Sequence, residues 1–319
     1  MIDENGRIVI EEFRAKSISR YDESTGLAAF CNYRNLEGYI NLSGDIAIPP
    51  RYTIAYTFRD SVAVVVMGPY VGIIDQNGET ILPLRYDFIM AVHNDLFAVK
   101  KDKDGGWGYM NDEGEIIVDF IFQGVQRSTF PENVCTATLD GKMGLLDAEG
   151  QWIVPASYDN VFAGREGLIG LEKDGRVGFV DAKGDRVIDY KFIGSSGWDL
   201  GYFYTFSEGL AVVLLSELPP YPLPGDEFPL IPPKTVSCGV IDKKGSLLFQ
   251  FRGFPVSIFH EGFLLVQSDD DTFNLIDRSG KLHTLPKNVE PNRGGISKGV
   301  LCVKKKDKYG YLKINLGKD

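Results

Sequence analysis

Few residues in this chain are spaced for chemistry. Its three histidines are His93, His260 and His283. His93 precedes Asn94-Asp95 and His260 precedes Glu261-Gly262, so each could serve as a ligand or a base. Corresponding turns elsewhere carry Ser207, Arg59 and Pro131. A position that accepts Ser, Arg, Pro and His within one chain is a tolerant turn position, and that is the reading adopted here. Asp75, Asp147, Asp181, Asp242 and Asp277 each stand three residues before a glycine. The Asp-Gln-Asn-Gly run at Asp75 and the Asp-Glu-Asn-Gly run at Asp3 suggest calcium loops. A calcium ion needs about six to eight oxygens, and the downstream bidentate glutamate is missing. Turn capping explains these residues without a metal. Cys31, Cys135, Cys238 and Cys302 form no Cys-x-x-Cys pair, so neither a zinc site nor a disulfide framework is expected. They read as small buried hydrophobes. The chain holds no Gly-x-x-x-x-Gly-Lys-Ser/Thr, no Gly-x-Gly-x-x-Gly, no Gly-x-Ser-x-Gly and no His-Glu-x-x-His. The Asn41-Leu42-Ser43 sequon is a chance match inside a turn. The expectation is therefore no catalytic residue, no metal and no cofactor.

Composition narrows the classes further. Of 319 residues, 44% are hydrophobic, enough for a sizeable core. Acidic residues number 44 against 34 basic, a net charge of -10. Diffuse negative charge repels phosphate backbones, so no nucleic-acid partner is expected. The densest basic cluster, Lys304, Lys305, Lys306 and Lys308, is interrupted by Asp307. No apolar stretch reaches the ~18–20 residues that span a bilayer, so no membrane insertion is expected. The opening Met-Ile-Asp-Glu-Asn lacks a basic and an apolar region, so a cytoplasmic location is expected.

What must position any site is a repeat. Gly, two mostly apolar residues, Asp or Asn, two variable residues and Gly recur throughout. The final glycines are Gly6, Gly44, Gly78, Gly114, Gly150, Gly184, Gly245, Gly280 and Gly317. Their spacings are 38, 34, 36, 36, 34, 61, 35 and 37 residues. Several copies place proline five residues later, at Pro49, Pro83 and Pro155. Eight residues later comes an aromatic: Tyr52, Tyr86, Phe122, Tyr158 and Phe192. A third turn follows, then an apolar run such as Val62–Met67, Leu210–Leu215, Phe263–Val266 or Val300–Val303.

Each part has a physical reading. The Asp or Asn side chain accepts from a nearby backbone N–H, and glycine takes the positive φ of a hairpin turn. Proline, lacking an N–H, ends or edges a strand. Apolar runs without alternation predict strands buried on both faces. Segments this short and this punctuated by glycine are not helical. Each unit is expected to hold three or four antiparallel strands and to need its neighbours to cover its faces. The units are 1–37, 38–71, 72–107, 108–143, 144–177, 178–238, 239–273 and 274–309, with a closing strand at 310–319. The expected fold is all-β, a closed eight-bladed β-propeller, with an open β-solenoid as the alternative. Closure predicts that Tyr309–Ile314 pairs in one sheet with strands from the first 37 residues.

The chain resembles the bacterial WG repeat. That repeat opens each unit with Trp-Gly, then shows an Ile-Asp-x-x-Gly turn, an Ile-Pro-x-x-Tyr-Asp segment and a Gly-Leu-Ala-x-Val strand. The best matches are Trp107-Gly108-Tyr109, Ile81-Leu82-Pro83 with Tyr86-Asp87, Ile153-Val154-Pro155 with Tyr158-Asp159, and Glu208-Gly209-Leu210-Ala211-Val212. The tryptophan survives in one copy. Val71, Met143, Val177, Cys238, Phe273 and Tyr309 replace it elsewhere. The resemblance implies a scaffold for binding and no particular chemistry.

The long interval between Gly184 and Gly245 contains two insertions, both in the sixth unit. The first holds Gly194-Ser195-Ser196-Gly197-Trp198-Asp199 and Tyr202-Phe203-Tyr204. The second is Leu218–Pro233, rich in proline, with Tyr221, Asp226, Glu227 and Phe228. Insertions in repeats map to loops, and rigid aromatics on loops suit binding. Trp198, Tyr202, Tyr204, Tyr221, Asp226, Glu227 and Phe228 are therefore the candidate binding residues. Local packing of the same aromatics is the competing reading. The expected function is a non-enzymatic binding scaffold for a protein partner. A glycan partner and an enzyme site assembled from several units are the alternatives.

Overall fold

The computed structural model describes residues 15–59, 61–93, 96–111, 113–126, 134–147, 149–195, 202–218, 236–268, 270, 272–287, 289–305 and 308–314. Among them every regular element is a β-strand. One compact unit takes in residues 1–128, 137–140 and 146–151, and a second takes in 129–136, 141–145 and 152–319.

Consecutive strands form successive meanders. β1 (Ser17–Ile18), β2 (Leu27–Cys31), β3 (Glu37–Asn41) and β4 (Ile46–Tyr52) make the first sheet. β5 (Ile54–Ala55), β6 (Val62–Met67), β7 (Tyr70–Asp75) and β8 (Thr80–Tyr86) make the second. β9 (Phe88–His93), β10 (Leu96–Lys100), β11 (Trp107–Asn111) and β12 (Ile116–Phe122) make the third. β13 (Gly124–Gln126), β14 (Cys135–Leu139), β15 (Lys142–Leu146) and β16 (Trp152–Tyr158) make the fourth. A seven-stranded sheet then runs through β17 (Asn160–Val161), β18 (Ile169–Lys173), β19 (Arg176–Val180), β20 (Arg186–Ile193), β21 (Leu210–Leu214), β22 (Ser237–Asp242) and β23 (Leu247–Arg252). It joins the fifth and sixth repeats through the single pair Ile193↔Leu214. β24 (Phe254–Pro255), β25 (Phe263–Gln267), β26 (Phe273–Asp277) and β27 (Leu282–Thr284) form the next sheet. β28 (Glu290–Ser297), β29 (Val300–Lys305) and β30 (Lys308–Lys313) form a last sheet, of three strands among the described residues. Sheet boundaries fall just after the motif aromatic, where a single residue separates Tyr52 from Ile54 and Tyr86 from Phe88.

The expected closing pair is not found among the described residues. β30 pairs with β29, while β1 and β4 take the two edges of the β2–β3 hairpin. Residues 1–14 lie outside the description.

The turn chemistry follows the sequence. Asp75 Oδ1 accepts from the N–H groups of Asn77 (2.9 Å) and Glu79 (2.8 Å), and Asp181 accepts from Lys183 and Asp185 in the same way. Asn41, Asp242 and Asp277 repeat the arrangement. Six turn glycines then seat on an apolar residue of the preceding repeat's outer strand: Gly78 on Ile48, Gly114 on Leu82, Gly150 on Val118, Gly184 on Val154, Gly245 on Ile188 and Gly280 on Phe249. Arg51 and Lys191 add hydrogen bonds to the carbonyls of Gly78 (2.9 Å) and Gly245 (3.0 Å).

The first glycine of the motif has a different task. A Cβ on Gly38, Gly72, Gly108 or Gly178 would lie within 3 Å of backbone atoms of the adjacent outer strand. That strand bulges there, and its register shifts across the glycine and again after the next residue. Asn274 replaces this glycine in the seventh repeat. Its ladder to β27 runs without a shift, and β27 stops after three residues. Loss of the glycine thus coincides with loss of the bulge.

Strands β2, β10, β18 and β21 are buried along nearly their whole length, as their non-alternating sequences predict. β6 and β29 keep one half-buried face despite equally apolar sequences.

Candidate functional site

The first insertion starts from a buried anchor. β20 ends at Ile193, and the Gly194 N–H donates to Gly175 O (2.9 Å). Ser195 donates its N–H (3.0 Å) and its hydroxyl (2.7 Å) to the Glu172 carboxylate, which is 4% exposed. Two donors satisfy a carboxylate that burial would otherwise penalise. Residues 196–201, including Trp198, fall outside the described set. The chain returns at half-buried Tyr202 and goes straight into the core with Phe203, Tyr204, Thr205 and Phe206.

Tyr204 must be withdrawn as a surface contact. It is 0% exposed, its hydroxyl donates to Ile193 O, and its ring packs 4.4 Å from that of Phe162. Burial first, and then the nearby Glu172 charge, push its phenol far above the usual tyrosine range. The cause is local repetition. The Tyr204 N–H donates to Val212 O as Phe162 N–H donates to Gly170 O and Tyr56 N–H to Val64 O. Tyr204 is thus a core position of the repeat.

The second insertion grows from a hairpin whose first strand is wholly buried. β21 and β22 pair in register from Leu210↔Asp242 to Leu214↔Cys238, and every residue of β21 is buried. The Leu215 N–H donates to Ser237 O (2.8 Å), extending the ladder by one step. In the fifth repeat the same hairpin closes through Asp174-Gly175 alone, with φ of 50° and 70°, the tight type that suits twisted strands. In the sixth it carries residues 215–236. Tyr221, Asp226, Glu227 and Phe228 lie outside the described residues.

A chain of glutamates was missed in the sequence. The third turns contain Glu166-Gly167, Glu208-Gly209 and Glu261-Gly262, with positive φ at both residues. Each glutamate reaches the same turn of the following repeat. Glu166 accepts from the N–H groups of Glu208 (2.6 Å) and Gly209 (2.9 Å). Glu208 accepts from Gly262 (2.8 Å), and Glu261 from Lys298 (2.5 Å) and Gly299 (2.7 Å). Lys243 and Arg278 flank the first two carboxylates at 3.3 and 3.5 Å. The Glu-Gly dipeptide recurring before three of the apolar runs was the available signal.

Burial pushes the Glu166 carboxyl up, but the N–H groups of Gly209 and Glu208 and the Lys243 ammonium outweigh it and hold it below the usual range. Glu261 is lowered by the Gly299 and Lys298 N–H groups, against a smaller effect of burial. A depressed folded-state value stabilises above the ordinary carboxyl range, and that stability is lost as pH falls through the folded value. Acid titration is therefore expected to lower the thermal midpoint progressively below about pH 4.5. The double variant Glu166→Gln, Glu261→Gln should show a shallower dependence in the same window. An unchanged slope would show that the chain contributes nothing.

The histidines lie at turns and on strands. His260 sits at a turn whose backbone matches those of Arg59, Arg165 and Ser207, as a tolerant position requires. His93 pairs with Leu96 at the end of β9. His283 Nε2 lies 2.8 Å from Asp277 Oδ2. Burial raises the Asp277 carboxyl, but His283, Ser279 and the Lys281 N–H together hold it far below the usual range. Cys135 and Cys238 are buried, while Cys31 and Cys302 are half-buried. Among the described residues no group of three or more His, Cys, Asp or Glu is arranged to hold a metal ion. No helix among them is long and apolar enough to cross a membrane.

The fold and its rooted loops thus define an all-β repeat protein of antiparallel four-stranded meanders. Residues 38–68, 72–103, 107–142 and 143–176 match the family described as WG containing repeat. These consecutive repeats belong to that family. No curated protein matches the chain. Among solved structures, Hsv2p from Kluyveromyces lactis is similar at a TM-score of 0.42 and 10% identity, covering 76% of this chain and 85% of that one. BamB from Moraxella catarrhalis gives 0.40 and 10%, covering 95% and 98%. Sqt1 from Saccharomyces cerevisiae gives 0.40 and 9%, covering 91% and 92%.

Proposed function

We propose that this protein is a non-enzymatic binding scaffold whose partner is another protein, engaged by the Leu218–Pro233 loop. The observation that carries this reading is the root of the loop. A hairpin buried along all of β21 carries residues 215–236 where the fifth repeat has a two-residue turn. A rigid base limits the entropy lost when a loop is fixed by a partner. Prolines at 219, 220, 222 and 224 shorten the list of conformations the loop must give up. Tyr221 and Phe228 supply large apolar contact area, and Asp226 with Glu227 favours a partner with a basic rim.

The test replaces residues 218–233 with a short Gly-Ser linker and compares proteins recovered from a native extract. One recovered protein should disappear with the loop, and a synthetic 218–233 peptide should compete for it. Recovery that is unchanged by the deletion and indifferent to the peptide would sink the loop as the contact site.

A further inference from the structure

The first compact unit gathers exposed apolar residues at one end of its sheets. Tyr33 is 74% exposed, and Ile54, Met67, Tyr70 and Phe88 are between 40% and 51% exposed. Tyr33, Met67 and Tyr70 stand at the turns between the second and third strands of their sheets. Ile54 and Phe88 open their sheets beside the same turns. Contacts run from one hairpin to the next. Cys31 pairs with Glu37, and Glu37 Oε2 accepts from the N–H of Ala55 (2.6 Å), next to Ile54. Ile54 pairs with Val66, Met67 with Tyr70, and Val71 with Tyr86. The Asp87 N–H donates to Lys100 O (3.2 Å), Phe88 pairs with Lys100, and its ring lies 5.6 Å from that of Trp107. The repeat does not need apolar residues here. Lys142 and Arg176 stand in the place of Tyr70 in the fourth and fifth repeats, and Gly124 and Asn160 in the place of Phe88.

The charge at this end also departs from the rest of the chain. Lys16 and the turns 32–36, 67–70 and 100–107 hold five cations, Lys16, Arg34, Lys100, Lys101 and Lys103, against the carboxylates of Asp102 and Asp104. The whole chain carries a net charge of -10. The cations are held in place. Lys16 Nζ donates to Asn35 Oδ1 (2.7 Å), and Lys100 Nζ donates to Lys103 O (3.0 Å). Arg34 rides on a turn tied by Asn32 Oδ1, which accepts from the N–H groups of Arg34 (2.8 Å) and Leu36 (3.0 Å). Two nearby acids are turned inward: Glu37 onto Ala55, and Asp102 back over Gly105 in its own loop.

We propose that this end of the first unit docks an acidic, extended segment of another protein that carries aromatic or aliphatic anchors. Exposed apolar residues grouped within a polar rim mark an interaction surface, and Tyr, Phe, Met and Arg are the residues such surfaces favour. The anchors cover Tyr33, Met67, Tyr70 and Phe88, and the carboxylates between them meet Arg34, Lys101 and Lys103. Charge selects this occupant, because an excess of cations on an acidic chain disfavours a basic partner. The surface is separate in sequence from Leu218–Pro233, whose Asp226 and Glu227 favour a partner of the opposite sign.

Fluorescence anisotropy tests the surface, with a labelled glutamate–tyrosine copolymer titrated by the full chain at low ionic strength. The copolymer should bind more tightly than polyglutamate, and a lysine–tyrosine copolymer should not bind. Tyr33→Ser with Tyr70→Ser should weaken binding at least about tenfold, and so should Lys101→Glu with Lys103→Glu. Leu42→Ser is the control, since that exposed side chain lies at the opposite strand ends and should leave binding unchanged. Amide exchange along β6 verifies that each variant is folded. Equal binding of polyglutamate, equal binding of the lysine–tyrosine copolymer, or an affinity that neither double variant moves overturns the proposal. Dimerisation of the chain that Tyr33→Ser with Tyr70→Ser abolishes makes the occupant a second copy and overturns it as well. A variant lacking residues 219–233 should bind the copolymer as wild type does. Loss of binding there would move the site to that loop, so failure here and failure of the loop as a contact site are told apart.

Discussion

Tyr204→Ala is expected to destabilise the protein by about 3–5 kcal/mol, the range for deleting a large aromatic from a packed core. The ring is wholly buried, and it contacts Phe162 and Phe203 at 4.4 and 5.9 Å between centroids. Removing it leaves a cavity between β18, β20 and β21, and it leaves the Ile193 carbonyl without the phenol. Tyr204→Phe keeps the ring and loses only the hydrogen bond, so about 1–2 kcal/mol is expected. Denaturant unfolding of the two variants separates packing from hydrogen bonding. Wild-type stability in Tyr204→Ala would return the residue to the list of surface contacts.

Gly38→Ala should cost about 1–3 kcal/mol, at the upper end of overpacking effects. The added methyl would stand 2.4 Å from Ile48 O, 2.7 Å from Pro50 N and 2.8 Å from Pro49 C. All three are backbone atoms of β4, which cannot rotate away as a side chain could. The whole strand would have to move, and Ile48 holds the turn at Gly78. Gly124→Ala is the control. Its methyl would meet only Thr138, at 3.6 and 3.8 Å, and should change stability by less than about 0.5 kcal/mol. Equal midpoints for the two variants would remove the close-approach explanation of the motif glycine.

Much of this fold is legible in sequence because the repeat is stated so many times. An aspartate that accepts from the backbone two and four residues on leaves a trace in each copy, as do the glycine three residues after it and the aromatic at the strand's end. What stayed hidden acts between copies. Glu166 reads as an exposed turn residue until Glu208 and Gly209 are placed beside it. The boundaries between the four-strand groups were hidden for a similar reason. The chain passes from outer strand to next sheet with one intervening residue, so no loop marks the boundary. Tyr204 was misread because the insertion was measured forward from Gly184. Measured backward from the third turn, Phe206 stands three residues before Gly209 as Phe259 stands before Gly262, and Tyr204 two residues further back is a core position. The candidate site was legible only as an interruption of the pattern, since nothing repeated constrains a loop that occurs once.

The central claim is that residues 218–233 are a recognition element carried on a scaffold that stands without them. It is tested most directly by measuring thermal unfolding and partner capture on one variant, with the loop replaced by the Asp-Gly turn that closes the fifth repeat's hairpin. With Leu218 kept, since it is buried in the core, and only residues 219–233 removed, the account predicts a midpoint within about 2 °C of wild type together with loss of the captured protein, because the deleted residues lie beyond the last paired residues of β21 and β22. A midpoint lowered by many degrees with capture intact would contradict it, and would make the loop part of the fold instead.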